Sequence, residues 1–204
     1  MEASALETRK LDGDKAKRIV EAMRASVGAR GAAGSTFDIV AREAGVSRGL
    51  LHYYFGSKER LLVEVVRRDC DERIAALEQG LAGAGSVDEI VQALVLSLES
   101  FVQGEPGAQA VLYEMVRASR HSEEIRVELA ELYRRWRDLL AGALRDKERA
   151  GIVKLRGDAD AVASVLFALG DGIGLQLGAD PAWDSQDALE VGTRSARHLL
   201  GADV

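Results

Sequence analysis

Apolar residues recur every three or four positions along most of the chain, a spacing that places them on one side of an α-helix. Glycine, serine, aspartate or proline residues separate the segments that carry this pattern. The pattern therefore predicts an all-α protein. The nine predicted helices cover residues 14–29, 36–44, 47–55, 57–79, 86–103, 108–120, 123–150, 158–178 and 184–200.

The second and third predicted helices are short and follow each other closely. Gly45 stands where the second helix must end, because glycine adopts the left-handed conformation most easily. Ser47 stands where the third helix needs an N-cap acceptor, and Ser35 and Asp38 have the spacing of a capping box for the second. This arrangement is typical of a helix-turn-helix motif, whose second helix lies in the DNA major groove.

The segment from Ser47 to Phe55 is the candidate reading helix. Leu51 and Phe55 are four residues apart, so they share a face that anchors the helix to a core. The opposite face carries arginine, glycine, histidine and tyrosine, which suit contacts with bases and phosphates. An ordinary helical hairpin with exposed aromatic residues has the same spacing. The candidate DNA-binding residues are Thr36, Ser47, Arg48, Gly49, Leu50, His52, Tyr53, Tyr54 and Lys58.

The run AREAGVSRGLLHYYFGSKERLL resembles the TetR family of repressors, whose members typically carry A-x-x-A-G-V-S-x-G-x-x-Y-x-[YH]-F-x-[SN]-K-x-x-L. His52 stands where the family more often has tyrosine, and Asp38 departs from the polar or basic residue that some members place on that face. The resemblance implies a ligand-responsive transcriptional regulator. The residues that match the motif are Ala41, Ala44, Gly45, Val46, Ser47, Gly49, Tyr54, Phe55, Ser57, Lys58 and Leu61.

The charge distribution supports a division between a DNA-binding head and an acidic body. Residues 1–67 contain 12 Lys and Arg against 9 Asp and Glu, whereas residues 68–204 contain 15 against 24. Only the first part is therefore attractive to a phosphate backbone. We predict a flexible arm over residues 1–13, a helix-turn-helix domain over 14–62 and a ligand-binding and dimerisation domain over 63–204.

Large apolar side chains on several body helices are the candidates for a ligand site. Core packing is the alternative role for each of them. The TetR resemblance implies a cavity between the middle helices for a small-molecule effector, and some of these side chains should line it. The candidate ligand-binding residues are Phe101, Leu112, Tyr113, Met115, Trp136 and Phe167.

The eighth predicted helix has glycine at every fourth position: Gly170, Gly174 and Gly178. Glycine inside a helix costs about 0.5–1 kcal/mol relative to alanine, and close approach of another helix would offset this. The resemblance implies that the last two helices pair with their copies across a two-fold axis. We therefore predict these glycines at a homodimer interface; the alternative is a weakly helical stretch.

Other classes of protein lack support in the sequence. The three histidines are far apart, Cys70 is the only cysteine, and no nucleophile–base pattern is evident, so we expect no metal, cofactor or enzymatic activity. Residues 161–179 are apolar but contain Asp171 and Gln176, and the N-terminus lacks a signal-peptide core, so we expect a cytoplasmic protein that does not enter a membrane. The alternative function is a helical ligand-sequestering or protein-interaction module without specific DNA binding.

Overall fold

The computed structural model describes residues 13–103 and 108–202, and these residues form nine helices and no strand. The predicted all-α fold is confirmed, and the described residues contain as many helices as the sequence predicts. The predicted arm over residues 1–13 lies, except for Gly13, outside the described residues. The helices are α1 (Asp14–Gly34), α2 (Phe37–Ala44), α3 (Arg48–Phe55), α4 (Lys58–Gly83), α5 (Val87–Gln103), α6 (Ala108–Ala118), α7 (Glu123–Arg149), α8 (Ala159–Ala179) and α9 (Gln186–Leu199).

The end of α1 differs from the predicted end at residue 29. The helix continues to Gly34 across a kink at Gly31, whose φ of 70° and ψ of 168° lie outside the helical region. The predicted capping box on Ser35 was wrong, because Ser35 is buried and its hydroxyl accepts a hydrogen bond from the Ser26 hydroxyl at 2.8 Å. The side chain of Thr36 caps α2 instead, and it accepts from the Ile39 amide at 3.4 Å.

The described chain forms two compact units. The first contains residues 13–69 and 108–130, and the second contains residues 70–103 and 131–202. The division falls inside α4 and α7. The first unit is therefore larger than the helix-turn-helix segment predicted over residues 14–62, because it also includes α6 and the first residues of α7.

In the first unit, α1 packs against α2 and α6, and α2 packs against α3. A buried ion pair ties α1 to α4 within this unit. The Arg24 guanidinium donates to the carboxylate of Asp69 and, at 2.9 Å, to that of Glu21, while the arginine itself is only 5% exposed. Breaking one half of a buried pair leaves an uncompensated charge, so this contact fixes α1 on α4.

In the second unit, α5 packs against both α8 and α9. The segment before α8 is bound to the end of α9, because the Lys154 amide donates to the Leu200 carbonyl at 3.1 Å and the Arg156 amide donates to Leu199 at 2.9 Å. Gly201 closes this contact with a φ of 91°, a conformation that glycine adopts without strain. Cys70, the one cysteine of the sequence, is buried.

Candidate DNA-binding surface and ligand cavity

The turn between α2 and α3 has the geometry that the sequence predicts. Gly45 ends α2 in the left-handed conformation, with φ 66° and ψ 39°. Leu51 and Phe55 are buried and hold α3 against the first unit. Ser47 occupies the N-cap position, but its side chain makes no capping hydrogen bond, so the prediction of a serine cap was wrong in that respect.

The outer side of α3 carries four exposed candidates: Arg48, Gly49, His52 and Tyr53. Tyr53 is 61% exposed, and its ring contacts that of Tyr54 edge-on with 5.5 Å between centroids. Leu50 and Tyr54 are half-buried beside this surface, while Ser47 and Thr36 are exposed at the starts of α3 and α2. The eight predicted DNA-binding residues other than Lys58 thus lie on α3 or at the N-termini of α2 and α3.

Two of the exposed polar side chains on α3 are held by neighbours. The Arg48 guanidinium donates to both carboxylate oxygens of Asp38 on α2, at 3.1 and 3.3 Å. The Nδ1 atom of His52 lies 3.2 Å from the carbonyl oxygen of Gly56, and its ring contacts Phe37 edge-on with 4.8 Å between centroids. These contacts set the directions of both side chains before any DNA is bound.

Lys58 lies at the first residue of α4. Its ammonium group donates to the Ala32 carbonyl at 2.9 Å, so one of its three N–H bonds is used within the protein. The Ser57 hydroxyl accepts from the Arg60 amide at 3.2 Å, so it caps the start of this helix. A cation is thus fixed at a helix N-terminus, where free backbone amides also attract anions.

The second unit contains a cavity of about 100 Å³. Its walls are mainly aliphatic and aromatic side chains of α4, α5, α7, α8 and α9. Three predicted ligand-binding residues, Phe101, Trp136 and Phe167, line it. The other three, Leu112, Tyr113 and Met115, belong to α6 in the first unit and do not line it.

Two charged residues, Arg73 and Asp171, interrupt the apolar lining of this cavity. The Arg73 guanidinium lies over two aromatic rings, with its carbon 4.3 Å from the centroid of Phe101 and 5.0 Å from that of Trp136. Burial raises the pKa of the Asp171 carboxyl, while a hydrogen bond from Tyr133 and the charge of Arg73 lower it by less. The cavity therefore combines two aromatic faces, which can bind a cation, with a partly buried carboxylate whose negative charge is only partly compensated by its neighbours.

The comparisons with known proteins agree with this architecture. A model described as the C-terminal part of BetI-type transcriptional repressors matches residues 87–201, more than half of the chain, and a model described as bacterial regulatory proteins of the tetR family matches residues 19–65. The chain belongs to the TetR family. It is a ligand-responsive DNA-binding transcriptional regulator and not an enzyme, and the alternative of a module without DNA binding is not favoured. Regulators of the TetR family bind DNA operators and small-molecule effectors, typically as dimers.

Individual relatives extend over most of this TetR-family chain. The HTH-type transcriptional regulator BetI of Rhizobium meliloti (strain 1021) is 32% identical over 161 residues, which are 77% of this chain and 74% of the relative. The crystal structure of a transcriptional regulator from Saccharomonospora viridis in complex with choline is 26% identical, with a TM-score of 0.72 over 89% of this chain and 94% of that one. FadR from Bacillus subtilis in complex with stearoyl-CoA is 17% identical, with a TM-score of 0.73 over 92% and 99%, and shares the fold.

The three glycines predicted at a TetR-type dimer interface occupy different environments. Gly174 is buried, and a Cβ atom there would lie 3.5 Å from Leu98 and Phe101 of α5. The helix that packs closely against Gly174 is thus α5 of the same chain. Gly170 lines the cavity, and Gly178 is exposed. The glycine spacing on α8 therefore does not define one continuous outer face.

Exposed apolar side chains mark a different face of the last two helices. Val165 and Leu175 of α8 are 48% and 53% exposed, and Val191 of α9 is 53% exposed. Among the described residues, α8 is the one helix that is long and apolar enough to cross a membrane, by length and composition alone. Only 22% of its most apolar 18-residue stretch is buried inside the protein. The prediction from the sequence missed this face because it relied on the glycines of α8 and not on Val165, Leu175 and Val191.

The charged residues of the cavity were also missed as site residues. Asp171 was visible as a carboxylate in an otherwise apolar helix, which is a signal of a functional position. Arg73 carries no such signal, because it lies in a helix with many exposed polar residues. Within the described part of the chain, no group of three or more His, Cys, Asp and Glu residues is arranged to hold a metal ion.

Proposed function

We propose that this protein binds a palindromic DNA operator as a homodimer, represses transcription there, and is released by a small organic cation bound in the second unit. The observation that carries the proposal is the outer side of α3, where polar and aromatic side chains are exposed opposite the buried Leu51 and Phe55. A short, anchored helix with such a surface fits the major groove.

Side-chain chemistry divides the candidate contacts into two groups. Lys58 uses one N–H bond on Ala32 and retains two for a phosphate oxygen. The hydroxyls of Tyr53 and Tyr54 suit phosphates, and that of Thr36 keeps its hydrogen for donation while its oxygen caps α2. The proposed phosphate contacts are Thr36, Ser47, Tyr53, Tyr54 and Lys58. The proposed base-facing residues are Arg48, Gly49, Leu50 and His52.

The homodimer is proposed to use the outer faces of α8 and α9. Val165, Leu175 and Val191 are large aliphatic residues that are about half exposed. A second copy of this face would remove them from water by apolar contact, as in other homodimer interfaces. Covering by a second copy also accounts for the apolar composition of α8 in a DNA-binding regulator.

The effector is proposed to be a small organic cation such as choline. The rings of Phe101 and Trp136 already hold a cation, since the Arg73 guanidinium lies 4.3 and 5.0 Å from their centroids. The raised pKa of Asp171, due mainly to burial, indicates a carboxylate that an added positive charge would stabilise. The choline complex of the Saccharomonospora viridis regulator, at 26% identity, supports the same class of ligand.

The DNA part of the proposal is tested by selection from a random duplex library with the full-length protein. We expect the enriched sequences to contain two inverted half-sites about one helical turn apart or moderately more. The dimer is tested on Leu175→Glu, which should yield monomers in light scattering and bind the selected operator weakly. A library without enrichment, or a wild-type monomer that binds a single half-site, would contradict the proposal.

The effector part is tested by titrating the operator complex with choline and, as a matched control, with 3,3-dimethyl-1-butanol, which has the same shape without the charge. We expect choline alone to release DNA. The variant Phe101→Leu keeps an apolar wall but loses the aromatic face, so it should need more choline for release. Equal release by both compounds would show that positive charge is not recognised.

A further inference from the structure

The ring of His52 is fixed on two sides in the free protein. Its Nδ1 atom lies 3.2 Å from the Gly56 carbonyl oxygen, and its plane meets Phe37 edge-on at 67°. A carbonyl oxygen can only accept a hydrogen bond, so Nδ1 must carry the hydrogen. In the neutral imidazole the other nitrogen, Nε2, is then a hydrogen-bond acceptor.

We propose that His52 reads the operator as an acceptor through Nε2, and that its partner is the exocyclic amino group of adenine or cytosine. In the major groove these are the two bases that present an N–H donor, N6 of adenine and N4 of cytosine. Guanine and thymine present acceptors at the corresponding positions, which a lone pair on Nε2 repels. The inference rests on the proposed role of α3 in base recognition.

The preference for an amino group on the base is specific to the present chain, because His52 departs from the family motif at this position. The TetR run more often has tyrosine here, and a tyrosine hydroxyl both donates and accepts. In the neutral histidine, whose Nδ1–H is bound to Gly56, the remaining nitrogen Nε2 can only accept a hydrogen bond. Gly56 supports the arrangement, because its φ of 73° is a conformation suited to glycine and its amide in turn donates to the His52 carbonyl at 3.0 Å.

A purely structural role for His52 is the competing explanation. In that role the Nδ1 bond to Gly56 would only cap the end of α3, and the exposed side of the ring would face water. The two roles differ in one measurable respect. A capping histidine affects stability and overall affinity, whereas a reading histidine changes the preference for a base at one position of each half-site.

The experiment begins with operators selected by the wild type, His52→Phe and Tyr53→Phe, each as the full chain. Phenylalanine preserves the ring contact with Phe37 but has no nitrogen. We expect His52→Phe to lose the base preference at one position per half-site, while Tyr53→Phe weakens binding without changing any preference. Thermal unfolding of each variant reports whether its fold is intact.

Base analogues in the wild-type operator then identify the atom that is read, and they require no protein variant. Removing the amino group at that position, with purine for adenine or 2-pyrimidinone for cytosine, should weaken wild-type binding roughly three- to tenfold, as expected for one neutral hydrogen bond. The same change should leave binding by His52→Phe unaltered.

The opposite results overturn the inference. If 7-deazaadenine or 7-deazaguanine, which lack the N7 acceptor, weakened binding while loss of the amino group did not, His52 would be a donor. If His52→Phe kept every base preference, the histidine would be structural. If the wild type selected no sequence at all, the proposed function itself would fail, and this outcome is distinct from the other two.

Discussion

Replacing Gly174 by alanine should stabilise the protein and leave the proposed dimer intact. A Cβ atom at this position would lie 3.5 Å from the Leu98 Cδ1 and Phe101 Cδ1 atoms, an ordinary van der Waals distance. The methyl group therefore fits, and the removal of an interior helical glycine contributes about 0.5–1 kcal/mol. Leucine adds three further carbon atoms against the same wall, so Gly174→Leu should destabilise by about 1–3 kcal/mol through overpacking.

The assay is urea unfolding at one protein concentration, because the stability of a dimer depends on concentration. Gly172→Ala is the matched control, since a Cβ at Gly172 meets nothing within 4 Å and should show the propensity gain alone. Light scattering gives the mass of each variant. A Gly174→Ala protein that is less stable than the wild type, or that becomes monomeric, would refute the packing of Gly174 against α5 within the chain.

Three further predictions concern the head, the cavity and the C-terminal contact. Lys58→Ala should weaken binding to all DNA sequences and reduce the slope of log affinity against log salt by about one; an unchanged slope would remove Lys58 from the phosphate contacts. Because the pKa of Asp171 is raised by burial, folding stability should fall as pH rises through that pKa, and Asp171→Asn should abolish this fall in urea unfolding between pH 4 and 8. Gly201→Ala should cost at least about 2 kcal/mol, because the added Cβ overlaps the Lys154 carbonyl at a positive φ. The control Gly151→Ala, at φ 74° in open space, should cost about 1 kcal/mol when both variants are compared by urea unfolding, and equal costs would exclude the overlap.

The helix-turn-helix region could be predicted from the sequence because its determinants are local. Gly45 ends α2, and Leu51 and Phe55 are buried at a spacing of one helical turn. Each of these features depends on residues within four positions of one another. The hydrogen bonds that orient the side chains of this surface are less local. Arg48 donates to Asp38, ten residues away, and Lys58 donates to the Ala32 carbonyl, twenty-six residues away. No periodicity in the sequence encodes these pairs.

The ligand cavity could be predicted only in part, for a related reason. Helical periodicity identifies which side of a helix is buried but not which other helix covers it. Leu112, Tyr113 and Met115 have the same apolar character as Phe101 and Trp136, yet α6 belongs to the first compact unit. The chain leaves the second unit at the end of α5 and returns to it within α7, and apolar residues on both sides of this crossing look alike in sequence.

The charged residues of the cavity constrain how an effector acts. An organic cation that occupies the rings of Phe101 and Trp136 must displace the Arg73 guanidinium, so part of its binding free energy is used to move a residue of α4. The same helix begins at Lys58, a proposed phosphate contact. A ligand changes DNA affinity only through a difference in its affinity for two conformations, and DNA must change ligand affinity by the same factor. In the proposed function, displacement of Arg73 provides such a difference when the movement of its guanidinium also changes the position of α4; a cation that bound beside the guanidinium without moving it would leave α4 unchanged.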